Sequence, residues 1–360
     1  MEDNESKEIN KIKALRDRNA RLKEKVGRLR AQQMASESSL RSLIALAATG
    51  DPRVAAVSAP VRSRLTLPGS AGEFNALLVT TDGMRFFVPE ARPDDPPDAF
   101  RTRVLEKGWY PLEMIRNLLP FTRGGTMLDV GANIGTTCVP RAFLGHFSYI
   151  HAFEPEPRNF ACLEAAVAAN RTRTTVVPWH LAVGAENRAG SLLNAGGMAR
   201  YRVSPSGAEP GRGSGAVPIS IVSLDSWLAE NRIPAEDIRF VKVDTQGFDL
   251  DVLLGARALL DCRDVVWQLE VCPRLFALAG RSLETFVRFL ESSFEWYLDL
   301  RRPAGGFKPS SEAAQALAYL TAKEPLRHPD EEEWRHTDII ALNAPARSHA
   351  PAHVPRGPGG

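Results

Sequence analysis

The sequence predicts an α/β fold in which a mostly parallel sheet is covered by helices on both faces. Two observations support this prediction. Apolar runs rich in β-branched or aromatic residues, typical of buried strands, lie at 126–132, 149–154, 175–183, 240–244, 265–271 and 337–342. Helical patterns lie between several of them, at 135–144, 157–170, 224–231, 248–260 and 282–292. Strands that alternate with helices form parallel sheets, and ligands bind beyond the carboxyl ends of such strands.

The composition is that of an ordinary globular protein, with 44% hydrophobic and 24% charged residues. The cysteines form no CxxC pair, which predicts reduced thiols and no zinc site. The first residues, MEDNESKEIN, lack the apolar core of a signal peptide. No run approaches the roughly 18 apolar residues of a membrane span. We therefore expect a cytoplasmic protein without a transmembrane segment.

Residues 1–47 lack proline and predict a basic helical or coiled-coil segment. Apolar residues recur at heptad spacing, with a polar Asn19 within the seam. The apolar members are Ile12, Leu15, Leu22, Val26 and Leu29. The flanking heptad positions are all basic, so self-pairing would bring like charges together. We expect an acidic coiled-coil partner or an anionic surface, with a solvated helical extension as the alternative. No base-reading motif accompanies the segment, so a nucleic acid is not expected.

Two further stretches lack the pattern of a folded domain. Residues 48–72 are rich in Pro, Gly, Ser and Ala, which predicts a linker. Residues 344–360 are of low complexity, which predicts a disordered tail. The folded domain is therefore expected at 73–343.

The first predicted strand ends in the turn Asp129-Val-Gly131-Ala-Asn133-Ile-Gly135. A dinucleotide fingerprint, G-x-G-x-x-G, needs a glycine where this turn has Asn133, because the backbone must approach a pyrophosphate there. A P-loop is also excluded, because no Gly-Lys-Ser/Thr follows. What remains is a close turn in which Asp129 can accept a hydrogen bond from a cationic group. The amino group of S-adenosylmethionine fits this turn, and a purely structural turn is the alternative.

The next two strand ends supply what an adenosine group would need. Glu154 closes the strand 149–154, where an acidic residue can accept hydrogen bonds from both ribose hydroxyls. Glu156 is the alternative ribose ligand, although the strand periodicity favours Glu154. Ala182, at the third strand end, is small enough to leave room for an adenine.

The fourth and fifth strand ends carry candidate catalytic groups. Lys242 and Asp244 alternate with valines, so both side chains point to one face. Glu270 lies at the corresponding height of the next strand. Two carboxylates at neighbouring strand ends can hold a hydroxyl or a metal ion, but no complete metal-ligand set is visible, and no metal site is predicted. The alternative for Asp244 is to cap the helix predicted at 248–260.

The motifs DVGANIG, FEPEP, VSLDSWL and KVDTQGFDLDVLLGA occur in an order and spacing that resembles the FkbM-type methyltransferases. The resemblance covers about residues 120–275. It implies a Rossmann-like class I methyltransferase fold, with a seven-stranded sheet whose last hairpin, 294–300 and 337–343, is reversed. It also implies methyl transfer from S-adenosyl-L-methionine to a hydroxyl, usually of a sugar, a glycan or a small natural product.

The chain departs from this resemblance after Asp244. Many relatives have Val-Glu where this chain has Thr245-Gln246. Because Gln cannot accept a proton, we expect Asp244 or Glu270 to act as the general base. Lys242 is expected to hold a neighbouring carboxylate or an anionic group of the substrate, with a purely structural ion pair as the alternative. A second hypothesis is a non-catalytic module that keeps the cofactor fold and acts in an assembly through its N-terminal helix. The intact predicted cofactor set favours the enzyme.

Overall fold

The computed structural model of the chain describes residues 61–69, 72–81, 83–92, 95, 98–107, 124–194, 201–204, 216–321 and 336–343. The predicted coiled-coil segment at 1–47, residues 48–60 of the predicted linker and the predicted tail at 344–360 lie outside the described residues, and stay predictions. Within the described ranges, no helix combines the length and apolar character needed to cross a bilayer.

The strands and helices are numbered in chain order. The described strands are β1 (Val61–Gly69), β2 (Gly72–Thr81), β3 (Met84–Pro89), β4 (Thr126–Val130), β5 (Tyr149–Phe153), β6 (Thr175–Trp179), β7 (Ala182–Val183), β8 (Arg188–Asn194), β9 (Tyr201–Val203), β10 (Val217–Val222), β11 (Ile238–Val243), β12 (Val266–Val271), β13 (Trp296–Asp299), β14 (Lys308–Pro309) and β15 (Thr337–Leu342). The described α-helices are α1 (Ala99–Lys107), α2 (Cys138–Leu144), α3 (Pro157–Ala169), α4 (Leu224–Asn231), α5 (Asp249–Leu254), α6 (Arg257–Leu260), α7 (Pro273–Leu278), α8 (Leu283–Ser293) and α9 (Ala313–Leu317).

The main sheet has the strand order β14-β13-β15-β12-β11-β4-β5-β6. The run from β12 to β6 is parallel, whereas β15 is antiparallel to both of its neighbours, β12 and β13. This arrangement confirms the mostly parallel methyltransferase sheet with its reversed last hairpin. In the described part of the chain the sheet has eight strands and not seven, because the two-residue β14 pairs with the edge of β13.

Helices cover both faces of the sheet because its strands are apolar on both sides. On one face, Met127, Ile150 and Phe240 pack in a core that includes residues of α2, α3 and the small sheet β1-β2-β3. On the other face, Val241 and Trp267 pack in a core with residues of α4 to α9. Neighbouring residues of β11 thus face opposite cores, as the period of two of a strand requires.

The predicted linker is wrong at 61–69, where β1 pairs with β2 along its whole length. Leu67 is buried by this pairing, and Pro68 is tolerated because β1 is an edge strand. The folded region therefore begins before residue 73.

Two predicted elements are interrupted. The helix predicted at 248–260 breaks at Gly255, whose backbone touches Gly184: a Cβ at Gly255 would lie 2.1 Å from the Gly184 carbonyl oxygen. The strand predicted at 175–183 ends at Trp179, and Ala182–Val183 joins a second sheet of order β7-β10-β8-β9. This second sheet forms part of the wall of the site described below.

Candidate active site

Polar side chains stand in two rows across the carboxyl edge of the main sheet. In the inner row, Lys242 of β11 is paired in register with Asp129 of β4 and with Gln268 of β12. The outer row lies two residues further along the strands and contains Gly131, Asp244 and Glu270. Because side chains two residues apart share a face, both rows face the same side of the sheet.

The turn after β4 brings this edge together. Gly131 has a φ of +81°, and its N–H donates to the carbonyl of Phe153 on the neighbouring strand. Asn133 also adopts a left-handed conformation, with a φ of +52°, and its backbone N–H donates to Glu154 Oε2 over 2.8 Å. A non-glycine residue in this conformation is costly, and such residues concentrate at functional sites.

A cavity of about 290 Å³ opens above the turn, which is near the lower end of the roughly 300–1,000 Å³ typical of small-molecule sites. Most of the predicted site residues line it: Gly131, Asn133, Glu154, Ala182, Lys242, Asp244 and Glu270. The structure thus brings together residues from the ends of four strands of the parallel sheet, β4, β5, β11 and β12, as that sheet predicts, whereas Ala182 comes from β7 of the second sheet.

Asp129 and Gly135 do not line the cavity. The side chain of Asp129 is completely buried, and its Oδ1 lies 3.9 Å from Nζ of Lys242. Burial raises the pKa of Asp129, and the charges of Lys242 and Arg141 oppose the rise. The predicted contact with the amino group of the cofactor does not fit this placement, because the carboxylate is covered and faces Lys242. Gly135, with a φ of +91°, lies against Leu163 and Val139, which are helix residues.

Glu154 lies at the cavity wall with acceptor capacity to spare. Its Oε2 accepts from the N–H of Asn133, and its Oε1 accepts from the N–H of Glu156 over 2.8 Å. The side chain of Asn159 also bonds to Glu154. Because each carboxylate oxygen can accept two hydrogen bonds, one of the four acceptor positions is left for a ribose hydroxyl. Burial raises the pKa of Glu154 to about 8.

Glu156 has a different task. Its side chain accepts from the N–H of Asn159 over 2.6 Å and caps α3. Glu156 is also absent from the cavity lining, so the geometry favours Glu154 as the ribose ligand.

Lys242 holds Asp244 in place at the cavity floor. Its Nζ donates to Asp244 Oδ2 over 3.1 Å. Burial raises the pKa of Asp244, but the charge and hydrogen bond of Lys242, with bonds from Gln246 and Glu270, outweigh it and lower the pKa. Burial also lowers the pKa of Lys242, but the negative charges of Asp244, Asp129 and Asp338 outweigh it, so the pKa is raised. This lysine is therefore a permanent cation.

Glu270 has the opposite character. Burial raises its pKa well above the ordinary value, and the charges of Asp244 and Asp249 raise it further. Glu270 and Asp244 are hydrogen-bonded to each other. The two carboxyl groups of the pair therefore differ in acidity, and the proton that they share is held more firmly by Glu270 than by Asp244. The alternative that Asp244 caps the following helix is wrong, because residue Phe248 is the N-cap of α5.

Two residues of the site, Gln246 and Asp249, were not among the site residues predicted from the sequence. Gln246 lines the cavity with a φ of +57°, and its Nε2 donates to Asp244 Oδ1 over 3.3 Å. Asp249 accepts from the N–H groups of Thr245 and Gly247 and fixes the same turn. Burial, then the charge of Asp244, raises the pKa of Asp249 to about 7. The sequence signal for Asp249 is its position in the first turn of the helix predicted at 248–260, two residues after Gly247.

An apolar wall faces these carboxyl groups. The second sheet contributes Leu192, Tyr201 and Val203, and Phe248 packs in the same small core. This wall lies next to Ala182, at the place where an adenine was predicted. Among the described residues, no group of three His, Cys, Asp or Glu side chains is arranged to hold a metal ion.

These residues fit S-adenosyl-L-methionine. Gly131 lines the cavity, Glu154 keeps an acceptor position for a ribose hydroxyl, and Ala182 borders an apolar wall. The fold and this site define a class I S-adenosylmethionine-dependent methyltransferase. Residues 129–295 match the sequence profile of the methyltransferase FkbM domain, which confirms the family inferred from the motifs: this part of the chain is an FkbM methyltransferase domain.

Solved structures with a similar fold are distant in sequence. TYW2 from Pyrococcus horikoshii in complex with MeSAdo is 12% identical, with 75% of this chain and 72% of that chain covered and a TM-score of 0.33. Trm5 from Methanocaldococcus jannaschii in complex with adenosine is 10% identical, with coverages of 75% and 56% and a TM-score of 0.36. TYW2 from M. jannaschii in complex with AdoMet is 12% identical, with coverages of 74% and 84% and a TM-score of 0.32. No curated protein matches the chain significantly.

Proposed function

We propose that this protein is an O-methyltransferase and that Asp244 accepts the proton of the acceptor hydroxyl. The observation that supports the proposal is that Asp244 and Glu270 are hydrogen-bonded to each other and both line the cavity, with the lowered pKa on Asp244 and the raised pKa on Glu270. When bound, S-adenosylmethionine supplies an electrophilic methyl group, and the acceptor oxygen bonds to the methyl carbon as the carbon–sulfur bond breaks and leaves its electron pair on sulfur.

The residues of this chain position the acceptor and remove its proton. Asp244 can accept a hydrogen bond from the hydroxyl before transfer and take its proton during transfer. Lys242 and Gln246 bond to different oxygens of Asp244 and fix the orientation of its carboxylate. Much of the rate then depends on holding the hydroxyl in line with the methyl group.

The acceptor that we propose is a hydroxyl-bearing sugar, glycan or small natural product. One feature of the cavity supports this proposal. The carboxyl groups of Asp244 and Glu270 suit neighbouring hydroxyls, since an ionised carboxylate accepts a hydrogen bond and a protonated carboxyl can donate one.

The proposal is tested with the purified full-length chain in two steps. Calorimetry with S-adenosylhomocysteine measures binding to the cofactor site. Incubation of cell extract with methyl-labelled S-adenosylmethionine then measures transfer, and mass spectrometry identifies the methylated atom. We expect binding, and a methyl group on oxygen. An absence of binding at millimolar ligand, or methylation at nitrogen or carbon only, would overturn the proposal.

Two variants distinguish the loss of the general base from the loss of cofactor binding. Asp244→Asn should bind S-adenosylhomocysteine as the wild type does and transfer at least about 100-fold more slowly, since general-base catalysis is worth roughly 10²–10⁴-fold. Asp251→Asn is a matched control, because Asp251 is paired with Arg281 and does not line the cavity. It should transfer at the wild-type rate.

A further inference from the structure

Three carboxyl groups, not two, stand side by side at the active edge of the sheet. Asp244 follows β11, Glu270 is on β12, and Asp338 is on the antiparallel strand β15. Glu270 and Asp338 are directly opposed in the β12–β15 ladder. Directly opposed side chains share a face of the sheet, with Cβ atoms about 4.5–5.5 Å apart. Asp338 itself does not line the cavity.

Two side chains of the inner row donate hydrogen bonds to Asp244 and Asp338, the carboxyl groups on either side of Glu270. Lys242 Nζ donates to Asp244 Oδ2 over 3.1 Å, and Gln268 Nε2 donates to Asp338 Oδ2 over 3.2 Å. Gln268 is itself fixed, because its Oε1 accepts from Nη2 of Arg141 over 3.1 Å. Glu270, in the middle, differs: its Oε2 is buried with no hydrogen-bond donor among the described residues.

Arg141 is the unexpected part of this arrangement. The whole residue is 1% exposed, and its guanidinium lies over the ring of Phe240 at 5.2 Å. A charged group this deeply buried is costly unless it is paired. Burial lowers its pKa to about 10, and the charges of Asp129 and Asp338 oppose the fall. The arginine therefore stays charged, and it lies close enough to Asp129 and Asp338 for their negative charges to act on it.

The trio cannot be fully ionised, because adjacent negative charges in a partly buried site repel each other. The charged or titratable groups that face it are Lys242, Asp129, Arg141, Asp249 and His336. Burial and the charge of Asp244 raise the pKa of Asp338, whereas Lys242, His336 and the bond from Gln268 lower it. Glu270 has negative neighbours on both sides, and its pKa is raised further above the ordinary value than that of Asp338.

We propose that Asp338 is a positioning residue that keeps the shared proton on Glu270 and so leaves Asp244 free to accept the proton of the acceptor. The inference rests on the proposed role of Asp244. The chain Arg141–Gln268–Asp338 holds a negative charge on the far side of Glu270, which makes Glu270 the site of lowest acidity. Without that charge the proton of the pair would be less firmly held by Glu270.

The test measures the titration of Glu270 and needs no acceptor. Full-length protein is labelled with ¹³C at the glutamate side-chain carboxyl, and Glu270→Gln assigns the resonance. In Asp338→Asn the midpoint of the Glu270 titration should fall by about one pH unit or more, the size expected when a neighbouring like charge is removed. An unchanged midpoint in a folded variant that still binds S-adenosylhomocysteine would overturn the inference.

A second variant keeps the inference testable if Asp338→Asn does not fold. Gln268→Met removes the donor to Asp338, so Asp338 should take up a proton and the Glu270 midpoint should again fall. Asp225→Asn is the control, because Asp225 accepts from the N–H groups of Arg257 and Ala258 and makes no contact with the trio, so it should leave the midpoint unchanged. An equal fall in Asp225→Asn would also overturn the inference.

The result separates this inference from the proposed function. Methyl transfer to oxygen with an unchanged Glu270 midpoint in both Asp338→Asn and Gln268→Met would remove the role of Asp338 and leave the role of Asp244 standing. A lowered midpoint in a protein that methylates no hydroxyl would support the proton arrangement but overturn its use in O-methylation.

Discussion

Gly131 lies in contact with the backbone of Asp244: a Cβ built on Gly131 would be 1.9 Å from the Asp244 carbonyl oxygen. The turn that borders the cofactor edge and the strand end that bears the proposed base therefore fix each other. The N–H of Asp244 donates to the carbonyl of Val130, immediately before Gly131, over 3.0 Å. A change at either residue should disturb both halves of the site.

Gly131→Ala should destabilise the protein more than its φ alone explains. A left-handed conformation costs an alanine about 1–2 kcal/mol, and the collision with Asp244 adds roughly 1–3 kcal/mol for overpacking. Gly280→Ala is the matched control, since Gly280 has a φ of +74° but no atom within 4 Å of an added Cβ. Urea unfolding of both variants measures the difference, and equal losses would show that the contact is not rigid.

Lys242→Met should be strongly destabilising. The substitution leaves the fully buried Asp129 without its lysine, and breaking a buried pair typically costs about 3–5 kcal/mol. Asp244→Asn should cost less, because Lys242 keeps Asp129 and the Asp244 side chain is 36% exposed. The double variant Asp129→Asn with Lys242→Met should recover part of the loss. Unfolding experiments in which the double variant is no more stable than Lys242→Met would contradict this account of Asp129.

Binding of an adenosine ligand should improve as the pH rises towards about 8. Glu154 has a pKa of about 8 in the free protein, and hydroxyl donors favour its ionised form, so ligand binding below that pH must also remove a proton. 5′-Methylthioadenosine is a suitable probe because it has the ribose diol but no amino acid to titrate. Calorimetry from pH 6 to 9 should show the rise in the wild type.

Glu154→Gln should bind this probe more weakly and without that pH dependence. Glu156→Gln is the matched control, because it weakens the cap of α3 but leaves the cavity lining unchanged. It should lose about 1 kcal/mol of stability at most and keep the wild-type binding profile. A pH-independent affinity in the wild type, or equal effects of the two variants, would speak against Glu154 as the ribose ligand.

The free energy of unfolding of the ligand-free protein should fall as the pH rises. The folded-state pKa values of Glu154, about 8, and Asp249, about 7, are above the ordinary values of 4.5 and 3.8. Their contribution is complete below pH 4 and is lost as the pH passes through 7 to 8, since the folded state binds more protons there. Urea unfolding from pH 5 to 9 should show that the free energy of unfolding falls less steeply with pH in Glu154→Gln than in Glu164→Gln, which is the control variant on α3. If the free energies of the two variants fall equally steeply with pH, Glu154 does not have the raised pKa.

The sequence predicted the parallel sheet, and most of the residues that it predicted for the site line the cavity, because the relevant information is local. The alternation of side chains along a strand predicted that Lys242 and Asp244 share one face of the sheet. The ends of the predicted strands indicated that Glu154 and Glu270 lie at the same edge of the sheet. Asp338 was missed because its position beside Glu270 depends on the register of an antiparallel strand that follows much later in the chain. Arg141 was missed because a charged residue in a helix ordinarily faces solvent.

Two predictions from the sequence were wrong, one because it relied on amino-acid composition and one because the sequence does not show how deeply a side chain is buried. Residues 61–69 resemble a linker in composition, yet pairing with β2 makes them a strand. Asp129 was predicted to meet the cofactor because it ends a strand before a glycine turn. Its carboxylate is instead buried in the inner row beside Lys242. The residue two positions further along, in the outer row that borders the cavity, is Gly131.

Transfer of a labelled methyl group by wild type and by Asp244→Asn, with S-adenosylhomocysteine binding measured on the same preparations, tests the central claim most directly. We predict that the wild type methylates a hydroxyl in cell extract, and that Asp244→Asn binds the ligand equally well but transfers at least about 100-fold more slowly. Equal transfer rates in the two proteins, or a methyl group found on an atom other than oxygen, would contradict the account.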